Sequence, residues 1–497
     1  MSDDQISPGL RRGYAMGSLA TGAFGTVPGL LLLPYLTDTI GISAVLAGVI
    51  VFAPKAWDVV LSPMVGRWSD QSAVRTGTRR PYLLWGGIGL AVSFALLFAG
   101  VFTSPVAGGW WAAIMYSLCA TALAFYSVPY LAMPAEMTDS YHERTRIQTL
   151  RVAFLALAIL IGGAGSPAIR NAIGGLNGYR VMGVFIGVVI LVGAVGAYRG
   201  TRAARRTTVL FNEGTLWSQM RSVLKVRDFT LLALSYAIQF ISIGMMLAGV
   251  DYVATYYLNS KAGASIIFLL FVGPAMITMP LWNRLGRRYG KKTGFMFSTS
   301  LMLLGVLLNS LVMLTMPPSI GKYAAYAVTM IIGVGYAGAQ VFPNAMLADT
   351  AAVDARRTGV NRIGLFTGVW AAIDTVTMAT GTGLFAFALA IGGYVPFVGD
   401  TAEGPRNPAI TAIIVAFTVI PAVFFVVSII LLRGYRLTGE DVEARLSDDD
   451  IPAGAGDSSE AVDPVDAGAL APGRYSPNPV VDVEVENREP GVGAPRS

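Results

Sequence analysis

One short stretch of the chain, PKAWDVVLSP at positions 54–63, places two opposite charges inside a long apolar run. Lys55 and Asp58 are three residues apart, so in a helix they share one face. A charge at membrane depth is costly, and it normally faces a wet cavity and has a partner. A carboxylate beside an ammonium group can take up and release a proton or a cation, whereas a purely structural pair would only hold two helices together. We favour the functional use, because ionisable groups inside membrane segments mostly line ion or substrate pathways.

The elements that must position this pair are membrane-spanning helices. Of the 497 residues, 54% are hydrophobic and only 13% are charged, against about 25% charged in soluble proteins. About 20 apolar residues cross a bilayer as a helix, and twelve such runs are joined by short polar segments. We predict spans at 12–36, 43–66, 81–103, 110–136, 147–169, 180–200, 229–258, 263–283, 293–316, 322–349, 361–392 and 407–433.

The polar joints predict the orientation. Joints after the even-numbered runs hold 22 Lys and Arg residues, and those after the odd-numbered runs hold five. Because basic loops remain cytoplasmic, we predict a multi-pass protein of the cell membrane with both termini in the cytoplasm. This topology accounts for the net charge of +6, so we expect no nucleic-acid partner.

The sequence also contains an internal repeat. A shift of 213 residues aligns Ala132-Met133 with Ala345-Met346, at the ends of the fourth and tenth runs. Two six-helix halves that face each other are the plan of a transporter that rocks around a central site. We predict an N-terminal bundle at 1–200, a cytoplasmic linker at 201–227, a C-terminal bundle at 228–436 and a disordered acidic cytoplasmic tail at 437–497.

Two segments carry a family resemblance: WDVVLSPMVGRWSDQSAVRTGTRRPYLLWG (57–86) and VPYLAMPAEMTDSYHERTRIQTLR (128–151). They resemble the signature segments of the glycoside–pentoside–hexuronide cation symporters, the melibiose-permease group of the major facilitator superfamily. The likeness extends over residues 11–433. It implies an all-α membrane fold of twelve helices in two pseudo-symmetric bundles. It also implies secondary active transport of a small polar solute, such as a sugar or glycoside, by alternating access and coupled to a proton or sodium ion.

The resemblance also implies a cation-coupling site at Lys55, Asp58 and Ser62. The family has two acids on this span, and Ser62 stands where the second would be. Sodium prefers several oxygen ligands, so one carboxylate beside an ammonium group favours proton coupling, or uncoupled transport, over sodium coupling. Asp251 and Asp374 are acids of other spans that could replace the missing one, and Asp374 is nearer the middle of its span.

Substrate contacts follow from the resemblance and from residue chemistry. Ser18 and Ser127 stand where the family has sugar-binding acids, so an amphipathic, lysolipid-like substrate is an alternative to a sugar. Tyrosine, tryptophan, amide and carboxylate groups suit a sugar, because they offer a stacking face and hydrogen bonds. The candidate substrate-binding residues are Tyr14, Ser18, Tyr126, Ser127, Tyr130, Gln239, Trp370 and Asp374.

Charged residues near the predicted cytoplasmic ends of the helices are candidates for a gate that closes that side when the cavity opens outward. They are Arg67, Asp70, Arg80, Glu136, Arg144, Arg151, Asp349 and Arg357. We predict no enzyme activity, cofactor or metal site, because the sequence offers no nucleophile–base set, metal cluster or phosphate-binding loop. The expected partners are a small-molecule substrate and the lipid bilayer, and the expected functional unit is a monomer. A non-transporting sensor or scaffold on the same fold is the remaining alternative.

Overall fold

The computed structural model describes residues 6–102, 104–138, 141–202, 223–358, 363–395 and 407–437, and these residues form helices and turns without a strand. Most of the predicted linker and nearly all of the predicted acidic tail lie outside these ranges. Twelve helices are long and apolar enough to cross a membrane, which confirms the predicted number. They are α1 Pro8–Thr39, α2 Ala44–Ala73, α3 Arg80–Leu97, α4 Pro105–Pro134, α5 Leu150–Ile173, α6 Gly175–Gly200, α7 Arg227–Tyr257, α8 Gly263–Tyr289, α9 Lys291–Thr315, α10 Ser319–Asp354, α11 Leu365–Ile391 and α12 Pro408–Arg433.

Local sequence explains where the first helix begins. The side chain of Ser7 accepts a hydrogen bond of 3.3 Å from the Leu10 amide, and Pro8 occupies the first helical turn. A serine cap satisfies an amide that has no partner within the helix, and proline has no amide to leave unpaired there. The helix therefore starts before the long apolar run and carries Arg11 and Arg12 near its N-terminal end.

Helices α1–α6 form the first half of the molecule and α7–α12 the second half. Between the halves, α1 packs on α7, α2 on α11 and α5 on α8. Each helix of the first half corresponds to the helix six places later. When the halves are exchanged in this way, the α1–α7 contact maps onto itself, and the α2–α11 contact maps onto the α5–α8 contact. Both α1 and α7 end in a π-helical turn, at Tyr35–Thr39 and Val253–Tyr257. The duplicated sequence has thus produced an interface with approximate twofold symmetry, the arrangement of rocking transporters.

Close helix packing within the first half depends on glycine. A methyl group at Gly13 of α1 would lie 2.4 Å from the Cα atom of Gly200 in α6, whereas one at Gly25 of α1 would meet nothing within 4 Å. Small residues allow such backbone contact between membrane helices. The main chain of α6 cannot rotate away as a side chain could.

We therefore expect Gly13→Ala to lower the free energy of unfolding by about 1–3 kcal/mol, the usual cost of overpacking. The matched change Gly25→Ala should leave stability unchanged or raise it slightly, because alanine favours the helix more than glycine does. Thermal unfolding of both variants in detergent tests this. Equal melting temperatures would contradict the assigned contact.

Candidate functional site

Three ionisable side chains lie near one another where α2 faces α11. Lys55 and Asp58 lie on α2, and Ser62 of the same helix donates a hydrogen bond of 3.2 Å to Asp58. Lys55 interacts electrostatically with both Asp58 and Asp374, which lies on α11 in the other half. Asp58 is 9% exposed, whereas Lys55 and Asp374 are partly exposed. The structure thus places the predicted cation-coupling residues beside a predicted substrate residue, across the interface between halves.

The surroundings of Lys55 show that it faces the protein interior. Its Nζ atom lies 5.0 Å from the ring centre of Phe24 in α1, a buried residue. Cys119 of α4, which is fully buried, also lies near it. Neighbours on α1, α4 and α11 surround the ammonium group, so it does not project into lipid.

A cluster of aromatic side chains in the second half lies next to this charged cluster. The ring of Tyr236 in α7 stacks on Trp370 with centroids 4.1 Å apart, and the ring centroids of Tyr236 and Phe240 are 4.0 Å apart. The hydroxyl of Tyr236 donates a 3.0 Å hydrogen bond to Asp374, which follows Trp370 by one helical turn. The three rings are 3–6% exposed in this arrangement, so a ring-shaped polyol could bind between the carboxylate and an aromatic face only in an arrangement that opens the site. Tyr236 was missed in the sequence, although it precedes the candidate Gln239 by three residues and so lies one turn from it on α7.

Gln239 itself points elsewhere. Its amide nitrogen contacts Thr299 of α9 at 3.3 Å, and its side chain is fully buried within the second half. Its carbonyl oxygen has no hydrogen-bond partner among the described residues. The structure therefore separates Gln239 from the interface where Trp370 and Asp374 lie.

The candidate residues of the first half form a closed cluster instead of a cavity wall. Tyr14 and Tyr130 stack with centroids 4.6 Å apart, and each hydroxyl donates to the other's backbone carbonyl, at 3.1 and 2.9 Å. Ser18 shares a 2.9 Å hydrogen bond with the Tyr130 hydroxyl, and Tyr126 donates to the carbonyl of Gly17 at 3.0 Å. All four side chains are fully buried. Their polar groups are thus occupied in joining α1 to α4, and Ser127 remains half-buried beside them.

The candidate gate residues have mixed positions. Arg80 donates to the backbone carbonyl of Tyr198 in the same half at 2.7 Å, and Asp349 pairs with Lys291 at 2.6 Å within the other half. Arg151 lies with its guanidinium carbon 5.9 Å from the Tyr130 ring centre. Arg67 and Arg357 are exposed. The side chains of Asp70, Glu136 and Arg144 are outside the described part of the chain, so their gating role stays a prediction.

A buried ion pair joins the halves at the end of the molecule opposite to the candidate gate residues. This end, where the loops after the odd-numbered helices lie, is called the far side. Arg170 of α5 and Asp251 of α7 form two hydrogen bonds of 2.6 Å each, and their side chains are 10% and 4% exposed. Arg170 also donates to the hydroxyl of Tyr179 in α6 at 3.1 Å. A bidentate pair of this kind is among the stronger polar contacts in proteins.

A second far-side cluster is centred on Asp38 at the end of α1. Its carboxylate accepts hydrogen bonds from Tyr256 of α7 at 2.9 Å and from Tyr394, which follows α11, at 2.5 Å. Thr37 shares a 2.7 Å hydrogen bond with Tyr252 of α7. Both clusters span the two halves, so the far side is closed in this structure. No pattern in the sequence predicted this closure, because Asp38 and Arg170 resemble ordinary charges at the ends of spans.

Comparison with known proteins agrees with the fold. The family model described as MFS/sugar transport protein matches residues 13–439. A glucuronide carrier protein homologue of Escherichia coli K12 is 24% identical over 437 residues, covering 86% of this chain and 92% of its own. The sodium-dependent lysophosphatidylcholine symporter 1 of Gallus gallus is 24% identical over 378 residues, covering 68% and 69%. The solved structure of a bacterial homologue of the human drug peptide transporters PepT1 and PepT2 superposes with a TM-score of 0.60 at 13% identity, over 86% of this chain and 97% of that one.

Proposed function

Because the chain belongs to the MFS/sugar transport protein family, we propose that it carries a small polar solute of the sugar or glycoside kind together with a proton. It is a multi-pass protein of the cell membrane, and it is a secondary transporter and not an enzyme. Its partners are a small-molecule substrate and the lipid bilayer. The observation that supports the proposed solute and ion is the Lys55, Asp58 and Asp374 cluster beside the aromatic pair Tyr236 and Trp370.

In the proposed cycle, the solute stacks on Trp370 and exchanges hydrogen bonds with Asp374. The basic side is the end of the molecule that carries the Lys- and Arg-rich joints after the even-numbered helices. An arrangement closed at the far side and open at the basic side would alternate with the reverse arrangement as the two halves rock about the α1–α7 contact. Each arrangement would be favoured by contacts that the other lacks, and Arg170–Asp251 is such a contact for far-side closure. We further propose that one monomer completes the cycle, that the basic side faces the cytoplasm, and that no nucleic acid takes part.

Transport into proteoliposomes tests this function. We expect a labelled methyl glycoside or glucuronide to accumulate when the exterior is more acidic than the interior, and a protonophore to abolish accumulation. A sodium gradient at equal pH should have no effect, because Lys55 already supplies the cation next to Asp58. Protein-free liposomes are the control. Accumulation driven by sodium alone would contradict proton coupling.

A lysolipid-like substrate is the second candidate. Two observations favour it: the first-half residues Ser18 and Tyr130 are closed against each other, and one relative is a lysophosphatidylcholine symporter. The same liposomes, supplied with labelled lysophosphatidylcholine, distinguish the candidates. Protein-dependent movement of this lipid without any glycoside uptake would replace the sugar proposal.

A further inference from the structure

The charged cluster at membrane depth holds one positive and two negative side chains. Lys55 interacts with Asp58 and with Asp374, and these two acids in turn interact with Lys55. Among the described residues of this cluster, the fully ionised state therefore has one uncompensated negative charge. Such a charge is costly away from water, so a proton or other cation bound at Asp58 or Asp374 would stabilise the cluster. The surroundings of these two acids indicate which of them is the better site.

Asp58 is the less suitable site, because its partners move with it. Lys55 precedes it by three residues on α2, and Ser62 follows it by four residues and donates to its carboxylate. A helix moves as a unit when the halves rock, so Asp58 keeps both partners on either side of the cycle.

Asp374 has different surroundings. The groups that face it are Lys55 from α2, Tyr236 from α7 and Tyr336 from α10. Lys55 is the only cation among these groups, and it lies on the other half of the molecule. Movement of α2 away from α11 would take the ammonium group from Asp374 while leaving it beside Asp58. The charge balance at Asp374 therefore changes with the conformation of the protein.

We propose that Asp374 is the residue that takes up the coupling proton, and that Asp58 is the fixed counter-ion of Lys55. The proton passes from water to a carboxylate oxygen of Asp374 when Lys55 withdraws, and it returns to water on the other side when Lys55 approaches again. No covalent bond other than O–H forms or breaks. Because Trp370 lies one turn from Asp374, solute and proton bind at the same place, which links their movements. The assignment rests on the proposed function for its role in transport.

Infrared difference spectroscopy of the purified full-length protein, between alkaline and acidic buffers, tests the assignment without a known substrate. Acidification should produce the carbonyl stretching bands of several protonated carboxylic acids, and we expect one of these bands to belong to Asp374. Asp374→Glu should shift this band, because aspartic and glutamic acids absorb at different frequencies. Asp58→Glu should leave the band in place. Both substitutions preserve the charge, so neither alters the balance that creates the site.

Two further variants complete the test. Asp374→Asn should remove the band, and Asp349→Asn should retain it, because Asp349 is a partly exposed acid of the same half and pairs with Lys291. A band that shifts with Asp58→Glu, or with both glutamate variants, would overturn the assignment, as would its absence from the wild-type protein. Failure of glycoside uptake would overturn the proposed function alone, since the infrared result does not depend on any solute.

Discussion

Replacing Asp251 by asparagine is expected to open the far side of the protein. Arg170 would keep its charge in a buried position but lose its bidentate partner. Removal of one member of a buried ion pair costs about 3–5 kcal/mol. That cost falls only on the closed arrangement, because an open far side lets water reach the guanidinium group. The closed-to-open ratio should therefore fall by a factor on the order of a hundred or more.

Thiol labelling measures this change. Cys119 is the only cysteine of the chain, so a Cys119→Ala background permits a single reporter. Leu247→Cys is suitable, because Leu247 of α7 lies against Gly29 of α1 between the halves. A membrane-impermeant maleimide added at the far side should label the Asp251→Asn protein about a hundred times faster than its parent.

The control keeps the reporter and changes a charge pair within one half. Asp349→Asn removes the partly exposed partner of Lys291 and should leave the labelling rate unaltered, because both residues lie in the second half and their pair does not join the halves. The double change Arg170→Met with Asp251→Leu should restore slow labelling, since apolar residues of similar volume often replace a buried ion pair without loss of stability. Unchanged labelling in Asp251→Asn would show that the pair does not hold the far side closed.

Replacing Lys55 by methionine is expected to create a requirement for an external cation. Two carboxylates, Asp58 and Asp374, would then share the interior without the ammonium group that both contact electrostatically. Like charges at close range in a poorly hydrated site are unfavourable. The oxygens of these residues, together with Ser62, are the ligands that a hard cation prefers. Sodium should therefore bind to the variant and stabilise it, whereas the wild-type protein should not respond.

Thermal unfolding in sodium chloride and in choline chloride at equal ionic strength measures this response. Sodium at a concentration of a hundred times its dissociation constant would raise the free energy of unfolding of the variant by about 2.7 kcal/mol. This gain is large enough to raise the melting temperature by several degrees. Lys55→Arg preserves the charge and serves as the control, for which the two salts should give the same melting temperature. Identical melting of Lys55→Met in both salts would show that Lys55 does not substitute for a bound cation.

Sequence patterns were sufficient to predict the helices of this protein, its duplication and the shared face of one charged pair. Hydropathy gave the number and approximate limits of the twelve helices, because each span must satisfy its own backbone groups within the membrane. The shared motifs of the two halves predicted the duplication. The spacing of Lys55 and Asp58 placed both on one face of α2, since helical periodicity depends only on separation along the chain.

Tertiary structure alone decided which groups meet. Asp374 is more than 300 residues from Lys55, and Arg170 is 81 residues from Asp251, so helical periodicity cannot relate them. Packing between the halves brings these groups together. Packing within the first half directs Tyr14 and Tyr130 toward each other, although their residue types suited a sugar site. The side that is closed was also beyond sequence reasoning, because the open and closed arrangements use the same helices and differ only in contacts between them.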